Sequence, residues 1–367
     1  LFEVIKAFIE FAKDDKYALR CAIYELDYPE VPMMYMEAKN RGVDVKIVYE
    51  ARKDKDKLGN IKDKNQTKQN KSALVNAGFA IEDRILTFKR ENTDGISHNK
   101  FMVLLKKEGG QLKPIQVWTG STNLSEGGIF GNSNVGHLIK DEDLASQYYE
   151  YWQMLVDDPD KVSLKNKITQ KWPDVDSASL PKDKMTPIFS PRKGLQMLQY
   201  YADLFGSAKK TAAITLPFNL DEKFKKIIDA PSDATQYIIL NSGRTNVEIA
   251  FELSKDQSAV VISGSKLENN FGQWLAEINL GLNGSNVQYI HSKYMIIDPL
   301  GDEPHVITSS ANFSEPSTNK NDENMVIIPC SSKKGESRVQ DIYLGEFFRI
   351  FDHLYSRYLA SLDTSKE

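Results

Sequence analysis

The sequence predicts an α/β protein of two similar lobes, each a mixed β-sheet flanked by helices, related by a pseudo-twofold with one site between them. Three observations predict it. Strand-like and helix-like segments alternate from the start of the chain, the order expected of a sheet with helical crossovers. The alternation stops at a stretch rich in proline and serine, then restarts. Two blocks also recur in matched order. Ile96-Ser97-His98-Asn99-Lys100-Phe101-Met102-Val103 is echoed by Tyr289-Ile290-His291-Ser292-Lys293-Tyr294-Met295-Ile296. Gly120-Ser121-Thr122-Asn123-Leu124-Ser125-Glu126 is echoed by Ser309-Ser310-Ala311-Asn312-Phe313-Ser314-Glu315.

The elements follow in order. Tyr17 to Tyr24 reads as a strand. Pro29 to Arg41 has helical spacing and stops at Gly42, a natural helix end. Val43 to Tyr49 alternates β-branched with charged residues, so this strand–helix–strand run predicts a parallel pair. Arg52 to Lys71 carries eight Lys or Arg against three Asp, a net of +5, and reads as a flexible loop. Its plain role is a solvated linker, and its functional role a basic flap over a polyanion. Phe101 to Leu105 and Tyr294 to Ile297 are apolar strands following the two histidines. Lys106 to Lys113 and Leu300 to Pro304, where the repeats differ in length, read as loops.

Residues 173–192 read as a connector, dividing lobes 1–172 and 193–367. Beyond it come a helix at Gly194 to Phe205 and strands at Thr211 to Leu216, Gln236 to Leu240 and Ala259 to Ser263. Gly264 to Gly284, with Phe271 and Trp274, reads as core packing or as a flap over the pocket. Ile342 to Leu362 is a closing helix.

Bulk properties narrow the function. The 367 residues can hold two core-forming units, and 41% hydrophobic content fits a soluble globular protein. No apolar run approaches the roughly 20 residues that span a bilayer. A net charge of −4 means that attraction to nucleic acid or anionic lipid must be local. Cys21 and Cys330 alone cannot make a zinc site, and they suit a reducing compartment. The chain begins at Leu1, which points to trimming; a cytoplasmic location is favoured. Phosphate-loop, dinucleotide-binding and His-Glu-x-x-His motifs are all missing from the sequence.

The paired blocks suggest a chemistry. Side chains two apart on a strand share a face, so each His stands beside its Lys. Two such strands would place two imidazoles within reach of one phosphorus. Lys100, Lys293, Asn123 and Asn312 can supply donors to the non-bridging oxygens of a phosphodiester without a metal. One neutral imidazole can attack phosphorus to give a covalent phosphohistidine. The other, protonated, can protonate the leaving oxygen and then activate water.

These motifs resemble those of the phospholipase D superfamily, whose hallmark is two His-x-Lys-x4-Asp motifs, each followed by a Gly/Ser-rich Asn segment. The second copy matches at His291, Lys293, Asp298, Ser309, Ser310 and Asn312. The first matches at His98, Lys100, Gly120, Ser121 and Asn123, and has Leu105 where the Asp should stand. That Asp looks like a supporting residue in the superfamily, and members that cleave protein–DNA adducts also lack it. The resemblance covers residues 17–328. It implies a phosphodiesterase with no cofactor and no obligate metal, His98 acting as nucleophile and His291 as general acid/base. The residues alone leave that order open.

Asn123 to Asn134 and Asn312 to Glu323 are both 11 positions, so Asn134 and Glu323 are counterparts. Glu323 is expected to accept a hydrogen bond from one imidazole and fix its tautomer, and Asn134 to do the same for the other without charge. Asp298 is expected to anchor the second motif, and Ser121 and Ser310 to add donors. His137, His305 and His353 have no matched partners and read as ordinary residues. Phe101, Trp118, Phe130 and Tyr294 read mainly as core, with base stacking as the functional option. Nucleic acid is the favoured substrate, on the basic stretch, the cysteine usage and the lack of a membrane element. Phospholipid or another small diester is the alternative, and a non-enzymatic binding module the third reading. Oligomeric state is left open.

Overall fold

The computed structural model describes residues 1–82, 84–175, 180–218, 220–240, 258–263, 290–331 and 338–363. The first lobe opens with α1 (Phe2–Phe11), β1 (Tyr17–Ile23), α2 (Glu30–Asn40) and β2 (Asp44–Glu50). β1 and β2 run parallel with Cys21 opposite Ile47, and α2 makes the crossover. Gly42, at φ 94°, turns the chain out of α2 in a conformation that a side chain would resist. Next come β3 (Lys53–Lys55), β4 (Ile61–Asp63), α3 (Asn65–Asn76), β5 (Thr87–Arg90), β6 (Lys100–Glu108), β7 (Gln111–Gly120), β8 (Gly136–Ile139), α4 (Glu142–Val156) and α5 (Lys161–Lys171).

The second lobe contains β9 (Thr186–Ser190), α6 (Gln196–Gly206), β10 (Thr211–Leu216), α7 (Glu222–Ile228), β11 (Thr235–Leu240) and β12 (Ala259–Ser263). It continues with β13 (Tyr294–Ile297), β14 (His305–Ser309), α8 (Glu315–Asn319), β15 (Glu323–Pro329) and α9 (Val339–Asp363).

The two sheets repeat one plan. The first has the order β5-β2-β1-β6-β7-β8 and the second β12-β11-β10-β13-β14-β15-β9. In each, three parallel strands lead into an antiparallel meander, and the histidine-bearing segment feeds the strand beside the first parallel one. A shared middle layer joins the sheets. Phe101, Val103 and Val117 of the first and Ile296, Val306 and Val326 of the second enclose α4 and α9 in one apolar cluster. Tyr151 stacks on Phe189 at 4.4 Å, and the Trp152 Nε1–H donates to Cys21 O at 2.9 Å. The outer faces are covered by α1, α2 and α3 in one lobe and by α6 and α7 in the other. Burial of these layers is the main stabilising term.

Three expectations are corrected. Arg52 to Lys71 is not a loop: it forms the β3–β4 hairpin and most of α3. The Asp56 carboxylate closes the hairpin turn by accepting the N–H groups of Leu58 and Asn60, both at 2.9 Å. Several of the lysines have acidic partners, at 3.1 Å for Lys53–Glu91, 2.7 Å for Lys62–Asp56 and 2.6 Å for Lys71–Asp63. The buried face of α3 is Thr67, Asn70 and Leu74. Asn70 holds it down by accepting from Leu26 N at 2.9 Å and donating to Tyr24 O at 2.8 Å.

Lys106 to Lys113 is likewise strand on both sides of a tight turn at Gly109-Gly110, φ 59° and 83°. The stretch 173–192 contains an edge strand, β9, whose Pro187 is tolerated because β9 pairs on one side only, with β15. Residues 264–284 lie outside the described residues. Cys21 and Cys330 are free thiols. Among the described residues no helix is long and apolar enough to cross a membrane.

Candidate active site

The site forms where each lobe clamps the other. Ahead of β6, Ser97 bridges to Asp322, and His98 N donates to Asp322 O at 2.9 Å. In the second lobe Ile290 bridges to Ser133, and His291 N donates to Ser133 O at 3.1 Å. The residue after each clamp reaches the imidazole. His98 Nδ1 lies 2.8 Å from Glu323 Oε2, and His291 Nδ1 lies 2.8 Å from Asn134 Oδ1. An ionised carboxylate and an amide oxygen only accept, so each Nδ1 carries the proton and each Nε2 keeps its lone pair. Both rings line the same cavity.

The lysines lie beneath the rings, fully buried. Lys100 Nζ donates to His98 O at 2.7 Å and Lys293 Nζ to His291 O at 2.6 Å. Lys100 also sits 5.1 Å over the Tyr24 ring. Each of the two serines supplies a donor to an orienting residue. Ser310 Oγ donates to Glu323 Oε2 at 2.8 Å, and Ser121 Oγ donates to Asn134 Oδ1 at 2.8 Å. They hold the orienting residues. Ser317 and Asn321 complete the shell of Glu323, donating to Oε1 at 3.0 and 3.2 Å. Asn123 and Asn312 line the cavity, and each has a buried Oδ1 with no protein partner.

Asp298 stands apart from this cluster. Its carboxylate accepts the backbone N–H groups of Lys209, Lys210 and Thr211 at 2.9, 2.8 and 3.1 Å, tying the end of β13 to the start of β10. The first lobe needs no such tie at Leu105. There the β1–β6 ladder continues through Tyr17↔Lys106, and Lys107 N donates to Lys16 O at 2.7 Å.

Burial sets the electrostatics. It pushes both imidazoles well below their ordinary pKa, with Lys100 and Lys293 adding repulsion, which favours the neutral rings in the empty site. Burial lowers Lys100 to about 8, against the pull of Glu323 and Glu25. It carries the Glu323 carboxyl up to about 7, opposed by Lys100 and the donated hydrogen bonds. Lys293 falls well below its usual range through burial and the charge of Lys100.

The cavity measures about 1040 Å³. Beyond the histidines and asparagines it is lined by Tyr24, Glu25, Asp27, Tyr28, Glu126 and Phe218, and by an amide-rich face of α3 including Gln66 and Gln69. No lysine or arginine is among the described residues that line it. Sequence reasoning missed Glu25 and Asp27. Both follow β1 directly, and the crevice outside the carboxyl ends of parallel strands is where such sites form, so strand position was the available signal.

Other candidates fall elsewhere. His137 stacks on Tyr343, and His305 is bonded through both ring nitrogens to Glu303 O and Pro181 O. The side chain of His353 lies outside the described residues. Phe101, Trp118 and Tyr294 are buried, while Phe130 is exposed and packs on Phe2 and Tyr28. Among the described residues no group of three His, Cys, Asp or Glu is placed to hold a metal.

A family model described as cardiolipin synthase, PLD-like domain, matches residues 6–156 and 201–342. No curated protein matches the chain. Among solved structures, phosphatidylserine synthase of Haemophilus influenzae Rd KW20 is similar over 94% of this chain and 82% of its own, at 13% identity and a TM-score of 0.55. Nuc, a phospholipase D family member from Salmonella typhimurium, covers 43% of this chain and 87% of its own at 25% identity and a TM-score of 0.31. NucT from Helicobacter pylori covers 47% and 96% at 16% identity and a TM-score of 0.30.

Proposed function

Because this chain belongs to the phospholipase D family, matched over both of its halves, we propose that it cleaves phosphodiesters through a covalent phosphohistidine and without a metal ion. The observation that carries the mechanism is the unequal support of the two rings. Attack by Nε2 makes the nucleophilic imidazole a cation. Glu323, 2.8 Å from His98 Nδ1, can stabilise that charge, whereas the Asn134 amide beside His291 cannot to the same degree. This supports His98 as nucleophile. His291 then serves as general acid and base. The bound diester anion offsets the repulsion from Lys100 and Lys293 and restores its proton. Asn123 and Asn312 can donate to the non-bridging oxygens.

For the substrate, the cavity lining supports the small-diester or phospholipid alternative above nucleic acid. A strand carries a phosphate at every step, and Glu25, Asp27 and Glu126 would repel it. The second reading, nucleic acid, draws on the lysine-bearing β3–β4 hairpin, which leads into the α3 face that lines the cavity. The test is hydrolysis in excess EDTA of a short-chain phospholipid and of labelled single-stranded DNA, with His98→Ala alongside. Cleavage of the lipid alone, lost in the variant, supports the first reading. Cleavage of DNA that weakens steeply with salt supports the second. Activity that EDTA abolishes overturns the metal-free mechanism.

A further inference from the structure

Resting on the phosphodiesterase reading, we infer a second subsite beside the phosphoryl site, built by Glu25, Asp27 and Asn123 Oδ1, that takes a protonated amine carried by one alcohol of the diester. All three groups line the cavity. Asn123 is only 6% exposed, and its buried Oδ1 has no protein partner. The Glu25 carboxylate accepts from Ser125 Oγ at 2.7 Å and from the Asn123 amide N–H. Asp27 receives a long one from Gln66 Nε2 at 3.5 Å. These are acceptors in a cavity whose described lining has no lysine or arginine, although the buried Lys100 acts on Glu25 from beneath, so the complementary ligand group is a donor with positive charge. Burial raises both carboxyls above their ordinary range, a cost that a bound ammonium relieves.

The subsite belongs to one lobe only. Ile23 of β1 lies opposite Lys100, and Glu25 follows two residues later. In the second lobe Ile214 lies opposite Met295, which puts Leu216 at the matching place and Phe218 where Glu25 would be. Phe218 also lines the cavity. The pseudo-twofold is therefore broken at this corner, so a diester with one aminated and one apolar substituent has a defined orientation.

The experiment compares two diesters of equal shape, p-nitrophenyl 2-aminoethyl phosphate and p-nitrophenyl propyl phosphate, in which a methyl replaces the ammonium. Total diester consumed is followed by chromatography, which registers cleavage of either ester bond. The wild-type protein should prefer the aminoethyl ester in kcat/KM by roughly tenfold or more, the worth of a hydrogen bond to a charged group. Glu25→Gln should bring the ratio towards one, and Asp27→Asn, at a less buried position, should lower it as well. The ratio is the readout, because Glu25 also acts on Lys100 and its loss alters both rates. A wild-type ratio near one, or a ratio that survives in both variants, overturns the subsite while leaving the phosphodiesterase reading in place. Consumption of neither diester overturns that reading, and the subsite with it.

Discussion

Replacing Glu323 by Gln tests the division of labour between the two histidines. The amide keeps an acceptor for His98 Nδ1–H and removes the charge. Two estimates bound the effect. A hydrogen bond to a charged group exceeds a neutral one by about 1 to 1.5 kcal/mol. Full loss of a charge about 4 Å from the imidazolium, at an effective dielectric of about 20, is about 4 kcal/mol. The expected fall in kcat is therefore roughly tenfold to a thousandfold, with KM little changed. A chromogenic diester followed under single-turnover conditions reads release of the first alcohol, the step in which the proposed phosphohistidine forms. The loss should lie in that first phase. A Glu323→Gln protein that folds normally and forms the intermediate within threefold of the wild-type rate would refute the assignment of His98.

Three further outcomes are expected. Activity should rise as Glu323 ionises through about 7 and fall as Lys100 loses its proton through about 8, giving a narrow bell in kcat/KM against pH; a profile flat from 6 to 9 contradicts it. Arg90→Met should cost about 3 to 5 kcal/mol in denaturant unfolding near neutral pH, because it strands the buried carboxylate of Asp322 now 2.8 Å from Arg90 Nε. Asp322 is already raised to about 6. A raised folded pKa favours the fold at low pH and costs stability as pH climbs past it, so the deficit should shrink on acidification. Asp298→Asn should lower stability by about 1 to 2 kcal/mol and leave kcat within twofold, since it removes charge from a carboxylate that touches only backbone N–H groups.

The legible parts of this chain were those with a periodic apolar signal or a repeated motif. Tyr17 to Tyr24 and Val43 to Tyr49 were legible as strands because their buried positions, Arg20 apart, are β-branched or apolar. The equal spacing of Asn123–Asn134 and Asn312–Glu323 pointed to the two residues that the structure places on the imidazoles. The hairpin β3–β4 was illegible because it has no apolar face: Lys53, Asp54 and Lys55 are all exposed, and a turn closed by Asp56 carries no hydrophobic period. α3 was hidden because its contact with the sheet runs through the Asn70 amide. Pro187 disguised β9 as linker. The roles of Ser121 and Ser310 followed from which atoms they face, which spacing does not encode.

The exchange of orienting residues bears on how the molecule can be divided. His98 is positioned by Glu323 and His291 by Asn134, and each backbone clamp also comes from across the interface. A fragment ending in the connector would keep a histidine and a lysine yet lack the partner that fixes its tautomer. Co-expressed halves should regain turnover only as they reassociate, so turnover would report docking. The same crossing carries the asymmetry of the pair: a carboxylate from the second lobe meets the ring of the first, an amide from the first meets the ring of the second, and exchanging the two would reverse the direction in which the site works.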